Sequence, residues 1–448
     1  MTGAIEKALF EPINGMLNDP LIAPEGLVMI IDYCPRFVQR FFGSRTACLS
    51  KPQRAHLWRL VLAMAVCRGR TKLSHLAAML LGGRHRTRLG GFLREADWDA
   101  PRLLREQVWA TLRWMRPRVG EPIDLLIDDT RVAKRGRQMA ALQKIWDHAR
   151  QRFAWGHIWV VAAVRFRGVV LPWRIELWKP RRAAGRDYRK TTEIAAAMIG
   201  AFDLPWDLQV RVLFDAFYLS GPVTKACREK GFLWFSVAAR NRSFRADRGR
   251  RAKLGALAPG WLRHGARAVR LPRARGHAKM RIASADGHLS RIGRVRLVAG
   301  KRPRDPWRNL VIFATNAKMD ARQIVTIYER RWDIERMFKE LRSDLGWGDY
   351  QMLDERAIVR HVHLCGDPNR QTSRLGSPAL AHLLLTRHAM ERMAAQAKKA
   401  HQQVALPPMS IRRESLRTAL RRDQIRRLLG GRKHRALRAK LEPYLLAA

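Results

Sequence analysis

The spacing of hydrophobic positions divides this chain into two helical ends and a middle rich in strands. Residues 1–118 carry apolar side chains at helical spacing, most clearly over 51–67 and 72–81, which are separated by a short basic break. Such a pair predicts either a DNA-binding helix-turn-helix or two members of a plain helical bundle. Residues 351–448 are again mostly helical and end in a basic amphipathic segment over 411–441.

The middle region, residues 119–350, changes to strand periodicity. Several apolar runs have strand lengths, and two of them end at an acidic residue. The order of three strands, helix, strand, helix and strand predicts a mixed α/β sheet whose first three strands are antiparallel. The pattern predicts strands over 123–129, 157–166, 169–178, 208–214 and 232–238, and helices over 191–202 and 222–230. The second and third of these strands flank Arg167 and Gly168, which predicts a hairpin.

A basic segment interrupts this middle region at about 239–310. From Ala239 to Lys279 the only acidic residue is Asp247, which stands among many arginines. We therefore expect a basic, β-rich insertion, after which Asp320 is predicted to cap a long helix that reaches about Arg342. The strands predicted in and after the insertion cover 280–284, 294–299 and 309–314.

The net charge of the chain indicates which kind of molecule it binds. Lys and Arg total 87 against 38 Asp and Glu, which gives a formal net charge of +49. A compact chain with this excess is expected to bind a polyanion, and binding to nucleic acid gains affinity from counterion release. Apolar residues make up 47% of the chain, as in globular proteins, yet no apolar run approaches the roughly 20 residues of a membrane span. We therefore expect nucleic acid as the partner and no membrane.

Acidic residues close two of the predicted strands. Asp129 and Asp215 each follow an apolar strand, which excludes charge until it emerges from the sheet. Either acid alone is typical of a turn or a helix cap. The two acids lie on separate strands of one predicted sheet. Two carboxylates that are brought side by side repel each other, and a divalent cation relieves that repulsion. On so basic a chain, the pair favours a metal site.

One face of the predicted 320–342 helix carries a third acid, Glu335. It shares an arc of about 60° with a tyrosine and two arginines. Those three residues are Tyr328, Arg331 and Arg342. We expect this face to line a groove, whereas the alternative is ordinary surface pairing of Arg331 with Glu335. The packing positions of the same helix are predicted to be Ile324, Trp332 and Leu341.

Other chemical motifs are absent or weak. The sequence contains no GxSxG elbow and no GxxxxGK[ST] loop, so neither a serine nucleophile nor ATP is implied. His361, His363 and Cys365 alternate in a helical stretch without a fourth ligand, which favours packing over a metal site. Five cysteines without a CxxC pair, and an N-terminus without signal-peptide features, predict a reducing compartment.

Three segments together resemble a known family. The run Y-E-R-R-W-D-I-E-R-M-F-K-E-L-R over 328–342 resembles the Y-x2-R-x3-E-x6-K signature of one large group of bacterial DDE transposases. The stretch I-D-D-T-R-V-A-K-R-G over 127–136 resembles the family's first-Asp strand, and V-L-F-D-A-F-Y-L-S-G over 212–221 resembles its second. The resemblance covers about residues 120–350, and the longer gap before the glutamate suits the insertion that this group carries there.

The resemblance implies a fold, an activity and partners. Members of the group cut and paste insertion-sequence DNA, so we expect an α/β fold with an RNase H-like mixed sheet core, a β-rich insertion and helical flanks. Residues 1–118 would form a helical DNA-binding region, 119–350 the catalytic domain with its insertion at 239–310, and 351–448 a helical basic region. The implied partners are double-stranded DNA, at terminal inverted repeats and at the target, and a second copy of the chain on DNA. The implied location is the bacterial cytoplasm, on the nucleoid.

Site residues carry over position by position from the resemblance. The implied catalytic and metal-binding acids are Asp129, Asp215 and Glu335. They would hold two Mg²⁺ ions, for which Mn²⁺ substitutes, during strand cleavage and strand transfer. The implied DNA contacts are Tyr328, Arg331 and Arg342, the last of which stands where the family usually has Lys. Asp128 directly precedes Asp129 and offers a second choice for the first acid, although the family motif favours Asp129.

Two other interpretations stay open. In the first, the chain would be an inactivated transposase or nuclease relative that keeps DNA binding without transposition. In the second, it would be a non-enzymatic basic protein that binds nucleic acid. The second of these explains the charge but leaves the three acids as a coincidence.

Overall fold

The computed structural model describes residues 34–46, 49–66, 73–78, 86–147, 150–247, 249–272, 277–344, 347–348, 350–364, 387–390 and 406–429. These parts form a mixed α/β fold around one large sheet, as predicted for the fold class. The helices are α1 Arg36–Phe42, α2 Lys51–Val66, α3 Leu73–Ala78, α4 Arg86–Arg94, α5 Ala100–Met115, α6 Arg181–Ala184, α7 Thr191–Gly200, α8 Gly221–Glu229, α9 Leu254–His264, α10 Ala321–Glu329, α11 Trp332–Lys339, α12 Glu355–Leu364 and α13 Met409–Leu429. The strands are β1 Pro122–Lys134, β2 Gln143–Asp147, β3 Arg152–Phe166, β4 Val169–Trp178, β5 Gln209–Phe214, β6 Leu233–Val237, β7 Ser243–Ala246, β8 Arg251–Lys253, β9 Arg267–Pro272, β10 His277–Leu289, β11 Gly293–Lys301 and β12 Val311–Thr315.

The sheet combines antiparallel and parallel pairing. Its strand order is β2-β3-β1-β5-β6-β12-β11-β10-β7-β8, with β4 paired to β3 and β9 paired to β10. β1, β3 and β4 are antiparallel, as predicted, whereas β5 and β6 run parallel to β1 and follow the helices α7 and α8. Parallel neighbours need such helical crossovers, because a short turn cannot return the chain to the same end of the sheet.

The predicted hairpin between β3 and β4 turns at Arg167 and Gly168. The φ angles of these two residues are 47° and 81°. Positive φ at both central positions is typical of the type I′ turn, whose twist matches that of the flanking strands. The hairpin prediction is therefore confirmed.

The structure adds elements that the hydrophobic pattern did not predict, namely α6, β2, β7, β8, β9 and α9. β2 pairs with the first part of β3, and only Ile145 of its five residues is buried. A five-residue strand with one buried residue shows no alternation of apolar and polar side chains, so its sequence does not indicate a strand. The insertion also contains the helix α9, which carries Pro259 in its interior and packs against β10 and β11. The insertion is therefore rich in strands, as predicted, but is organised around a helix as well.

One buried core runs through all three predicted regions. It includes Leu60 of α2, Leu126 of β1, Ile358 of α12 and Leu416 of α13. The division into separate regions therefore stays a prediction, since the terminal helices pack onto the same core as the sheet. Among the described helices, none is both long and apolar enough to cross a lipid bilayer.

Arginines join the C-terminal helix α13 to the rest of the chain. Arg412 donates from Nη2 to both carboxylate oxygens of Glu340, at 3.0 and 3.1 Å. Arg413 donates from Nε to the carbonyl of Ala65 at 3.2 Å, and both arginines are buried. Part of the basic amphipathic segment predicted over 411–441 is thus used inside the protein, and the part beyond Leu429 lies outside the described residues.

His157 on β3 is the centre of a buried polar network. Its Nε2–H donates to the carbonyl of Ala140 at 2.8 Å, which leaves Nδ1 to accept from the hydroxyl of Tyr350 at 2.7 Å. The same hydroxyl accepts from Nε1 of Trp159 at 3.2 Å. This arrangement requires a neutral His157, because a protonated ring would carry a hydrogen on Nδ1 and could no longer accept the hydrogen bond from the Tyr350 hydroxyl. Burial is the main cause that lowers the pKa of His157 to about 4.

We expect His157 to make the fold sensitive to acid. A histidine with a lowered native pKa stabilises the fold fully above its unfolded pKa of about 6.5, and this contribution is lost as the pH falls towards 4. The melting temperature of the wild type should therefore fall across this window, and it should fall less steeply in His157→Gln. The exposed histidine of α9 provides the control, and His264→Gln should keep the wild-type slope. Equal slopes for wild type and His157→Gln would contradict the assignment.

Candidate active site

The parallel pairing of β1 with β5 stops where the acids begin. This pairing ends at Ile127↔Phe214, whereas the pairing of β1 with β3 continues to the end of β1. Asp128 and Asp129 therefore lie inside β1, and the prediction that this strand ends at the acid is wrong. Asp215 directly follows β5, as predicted. The acids thus come together where one edge of β1 has lost its neighbouring strand.

Asp215 is fixed by the loop that it begins. Its Oδ1 accepts from the backbone N–H of Phe217 at 2.9 Å and from that of Tyr218 at 3.2 Å. Its carbonyl oxygen accepts from the hydroxyl of Ser236 on β6 at 3.0 Å. A side chain that caps its own loop in this way has little freedom to turn, so the carboxylate has a defined position.

Asp129 is contacted from two sides. The hydroxyl of Tyr218 donates to Oδ1 at 3.3 Å, and Nε of Arg131 lies 3.8 Å from Oδ2. Burial is the main cause that raises the pKa of Asp129; Asp215 raises it further, whereas Arg131 and Tyr218 lower it. One loop therefore supplies both the second acid and a hydrogen bond to Asp129.

Arg331 links Asp128 to Glu335. Its Nη1 lies 3.1 Å from Oδ2 of Asp128, and its Nη2 lies 2.6 Å from Oε1 of Glu335. The Arg331 side chain is only 8% exposed, so this is not the surface pair that the sequence offered as an alternative. Burial raises the pKa of Asp128 to about 7; Arg331 opposes the rise, and Asp215 and Asp129 add to it.

The predicted 320–342 helix is broken at Arg330 and Arg331. It consists of α10, α11 and a π-helical turn over Glu340–Asp344. The Asp320 side chain caps α10, as predicted. At the break, the backbone N–H groups of both arginines bond to carbonyls three residues back, which tightens the chain locally.

The break directs two adjacent arginines onto β1. Arg330 lies 3.6 Å from Oδ2 of Asp124, while Arg331 reaches Asp128, four residues further along the strand. Asp124 is fully buried and also binds Arg211 of β5 at 2.6 Å. Alternate residues of a strand share a face, so Asp124 and Asp128 lie on the same face of β1. Two neighbouring ion pairs thus fix the start of α11, which carries Glu335, over the acids.

The remaining residues of the predicted face divide between core and surface. Tyr328 is 7% exposed and packs edge-on against Phe313, with ring centroids 5.4 Å apart. Arg342 is exposed, and Glu335 reaches solvent. Glu335 and Arg342 are therefore accessible, whereas Tyr328 and Arg331 are buried, and the groove along this face stays a prediction.

Trp332 is not the packing residue that the helical pattern predicted. It is 52% exposed, and the guanidinium of Arg331 lies over its ring at 5.1 Å. Ile324 and Leu341 are buried, as predicted. The break after Glu329 changes the rotation of the following turn, so the periodicity of α10 does not continue to Trp332.

The imidazoles of His361 and His363 are packed inside the protein. Both are buried, and burial lowers the pKa of each. His361 packs edge-on against Tyr350, and Nδ1 of His363 lies 2.8 Å from the carbonyl of Val359 in its own helix. Cys365 lies outside the described residues. The described pair supports packing over metal binding.

The acids offer an oxygen donor set that suits a hard divalent cation. Asp128, Asp129, Asp215 and Glu335 contribute only carboxylate oxygens, which Mg²⁺ prefers. Burial is the main cause that raises the pKa of Asp128, and the charges of Asp215 and Asp129 raise it further. A divalent cation relieves repulsion between such neighbouring carboxylates. In the described part of the chain, no three His, Cys, Asp or Glu side chains are already arranged as a metal cluster. The four carboxylates are nevertheless the right kind of ligand for the ion. To bind it, they would have to exchange their arginine partners for the metal.

Arg331→Ala is expected to lower the melting temperature of the metal-free protein, whereas Arg342→Ala leaves it nearly unchanged. The first change leaves Asp128 and Glu335 without their shared cation, at a cost of about 3 kcal/mol, moderated because Asp128 can take up a proton. Arg342 is exposed, so its removal costs about 0–1 kcal/mol. Thermal melts of both variants, with and without Mg²⁺, test this. Mg²⁺ should recover more stability in Arg331→Ala than in Arg342→Ala, and equal melting of the two metal-free variants would refute the buried role.

The sequence patterns did not predict three residues that shape this site. Tyr218, Asp124 and Arg330 were not singled out. The position of Tyr218 three residues after Asp215 is a signal that a loop analysis could use. A charged residue inside an apolar strand, as at Asp124, similarly indicates a buried partner.

The comparisons with known proteins identify the middle of the chain. A family model described as the transposase DDE domain matches residues 120–365, which is more than half of the chain. The match includes both acid-bearing strands, the insertion and the helices α10 and α11. No curated protein matches the chain.

Proposed function

The chain belongs to the family of transposases with a DDE domain, and from this membership we propose that it cleaves DNA at transposon ends and transfers the ends into target DNA by cut and paste. The observation that carries the proposal is the linkage of acids from three distant segments. Tyr218 joins the Asp215 loop to Asp129, and Arg331 joins Asp128 to Glu335. If Arg331 served only to stabilise the fold, a single acidic partner would be enough, and the other acids would have no reason to lie beside it.

In this proposal the catalytic and metal-binding residues are Asp129, Asp215 and Glu335. They would hold two Mg²⁺ ions, for which Mn²⁺ would substitute; bound there, the metal would provide an activated water and neutralise charge at the scissile phosphate. The protein groups orient these ligands. The hydroxyl of Tyr218 restricts Asp129, and backbone N–H groups restrict Asp215. Ligands that are oriented before the substrate binds lose little freedom in the reaction.

The residues proposed to contact DNA near the cut are Tyr328, Arg331 and Arg342. The planar fork of Arg331 matches a phosphate as well as it matches a carboxylate, so an incoming phosphate competes for it with Glu335. Arg342 is exposed and keeps the charge of the lysine that the family usually has there. Tyr328 is buried, so we propose that it acts on the DNA indirectly, through the Arg331 guanidinium, which lies 5.8 Å from the centre of its ring.

The basic insertion is proposed to hold the DNA backbone, which makes binding strongly salt-dependent. Its exposed cations include Arg245, Arg250, Arg251, Lys253, Arg263 and Arg270. Arg412 and Arg413 of α13 are buried and are not available for this role. We further propose that residues 1–118 bind DNA and that residues 351–448 support the catalytic domain. The chain would act as a homodimer on DNA, in the bacterial cytoplasm at the nucleoid.

Strand cleavage tests the proposal. Duplex DNA that carries the inverted repeats flanking the gene, with each strand labelled, is incubated with the full-length protein and Mg²⁺. We expect cuts at the repeat boundaries that a chelator prevents, and joined products when a target plasmid is added. Binding without cleavage in either Mg²⁺ or Mn²⁺ would overturn the enzymatic proposal and favour an inactivated relative or a non-enzymatic binder.

A further inference from the structure

A row of three charged side chains crosses the sheet beneath α11. On β1, Asp124 is the cross-strand partner of Arg165 on β3 and of Arg211 on β5. Cross-strand partners share a face of the sheet, so the three side chains lie on the same face as Asp128. Nε of Arg211 donates to Oδ1 of Asp124 at 2.7 Å, and Nη1 of Arg165 lies 3.4 Å from Oδ2. The three side chains are 19% exposed or less, so this charged row lies inside the protein.

The helix α11 is tied to the charged row by Asp333. Nε of Arg165 donates to Oδ2 of Asp333 at 2.6 Å, and the Asp333 side chain is 17% exposed. Asp333 belongs to the first turn of α11 and precedes Glu335 by two residues. Its Oδ1 lies 3.1 Å from Nη1 of Arg336, whose side chain is 73% exposed. Arg165 thus links an acid of the sheet to an acid of the helix that carries Glu335.

Stability alone does not explain an ion pair between α11 and the sheet. Moving charges out of water costs free energy, and apolar side chains of similar size often hold a fold together equally well. Apolar packing is non-directional, however, and leaves a helix some freedom to turn or slide on a sheet. A charge-assisted hydrogen bond between a guanidinium and a carboxylate restricts both distance and orientation. The contact of Arg165 with Asp333 therefore specifies the orientation of α11 more than it strengthens the packing.

We propose that Arg165 and Asp333 are positioning residues, whose ion pair fixes the rotation of α11 so that Glu335 faces the acids of β1 and of the loop after β5. Residues two apart on a helix lie roughly 200° apart around its axis, so Asp333 and Glu335 hold α11 from opposite sides. On one side Asp333 binds β3, and on the other Glu335 reaches β1 through Arg331. This inference rests on the proposed function, because it concerns the placement of the same Glu335.

A double-mutant cycle separates positioning from stabilisation. Arg165→Met and Asp333→Leu should each lower the melting temperature, since each leaves a largely buried charge without its main partner. The double variant removes both charges, so its melting temperature should return close to that of the wild type. Its Mg²⁺ affinity, read from the midpoint of the Mg²⁺-dependent rise in melting temperature, should stay about 10–100-fold below the wild-type value. The cleavage rate at saturating DNA should also stay low, with an unchanged KM for DNA.

Arg336→Gln is the matched control, because it removes the exposed partner of Asp333 and leaves Arg165 in place. It should match the wild type in melting temperature, Mg²⁺ affinity and cleavage. Recovery of Mg²⁺ affinity together with the melting temperature in the double variant would overturn the proposal, since the pair would then only stabilise the fold. A double variant as unstable as the single variants would overturn it for the same reason. The Mg²⁺ titration needs no DNA, so this failure is distinct from an absence of cleavage by the wild type.

Discussion

Glu335→Gln should abolish strand cleavage and leave binding to terminal-repeat DNA close to that of the wild type. The change keeps the size and the hydrogen-bonding capacity of the side chain but removes the charge that would hold a divalent cation. We expect a loss of about 10³-fold or more in cleavage rate, which corresponds to about 4 kcal/mol of transition-state stabilisation. Binding is expected to persist because the proposed contacts to the DNA backbone come from the exposed cations of the insertion and not from the acids.

The measurement combines single-turnover cleavage with a binding titration at several salt concentrations. Glu229→Gln provides a matched control, since it removes the same charge from an exposed position on α8. It should cleave and bind as the wild type does. Cleavage by Glu335→Gln at the wild-type rate would remove this residue from the mechanism. Loss of binding in parallel with cleavage would show that the substitution damages the DNA-binding surface instead.

Asp129→Asn is expected to reduce cleavage as severely as Glu335→Gln, whereas Asp128→Asn should retain most of it. The two acids are neighbours on β1 but have different partners. Asp129 bonds to Tyr218 of the Asp215 loop, while Asp128 is paired with the buried Arg331. We therefore propose that Asp129 binds the metal and that Asp128 positions Arg331. An asparagine at 128 can still accept a hydrogen bond from that guanidinium.

The two variants are compared by cleavage rate and by Mg²⁺ binding measured through thermal stabilisation. Asp129→Asn should lose the stabilisation by Mg²⁺, and Asp128→Asn should keep it. The reverse result would make Asp128 the first catalytic acid and would leave Asp215 and Glu335 in their proposed roles. Equal, complete loss in both variants would mean that the first acid position is shared between the two carboxylates.

The sequence alone was sufficient for the features that depend on local pattern. Apolar runs predicted most strands of the mixed sheet but not β2, β7, β8 or β9. Arg167 and Gly168 marked the hairpin, and Asp320 marked the start of a helix. The acid after β5 and the spacing of the 328–342 signature led to the family that the matched model confirms. These features depend on the conformational preferences of residues that are close together in the sequence, so the sequence alone is enough to predict them.

The tertiary structure alone decided how the acids are arranged. Arg331 and Asp128 are 203 positions apart, and their pairing, with that of Arg330 and Asp124, breaks the helix that the periodicity predicted to be continuous. The same break exposes Trp332 and buries Arg331. Helical periodicity assumes that each turn repeats the last, but a buried carboxylate gains so much from an opposite charge that two ion pairs outweigh a regular turn. No local pattern contains that information, because it depends on which distant residues the folded sheet brings together.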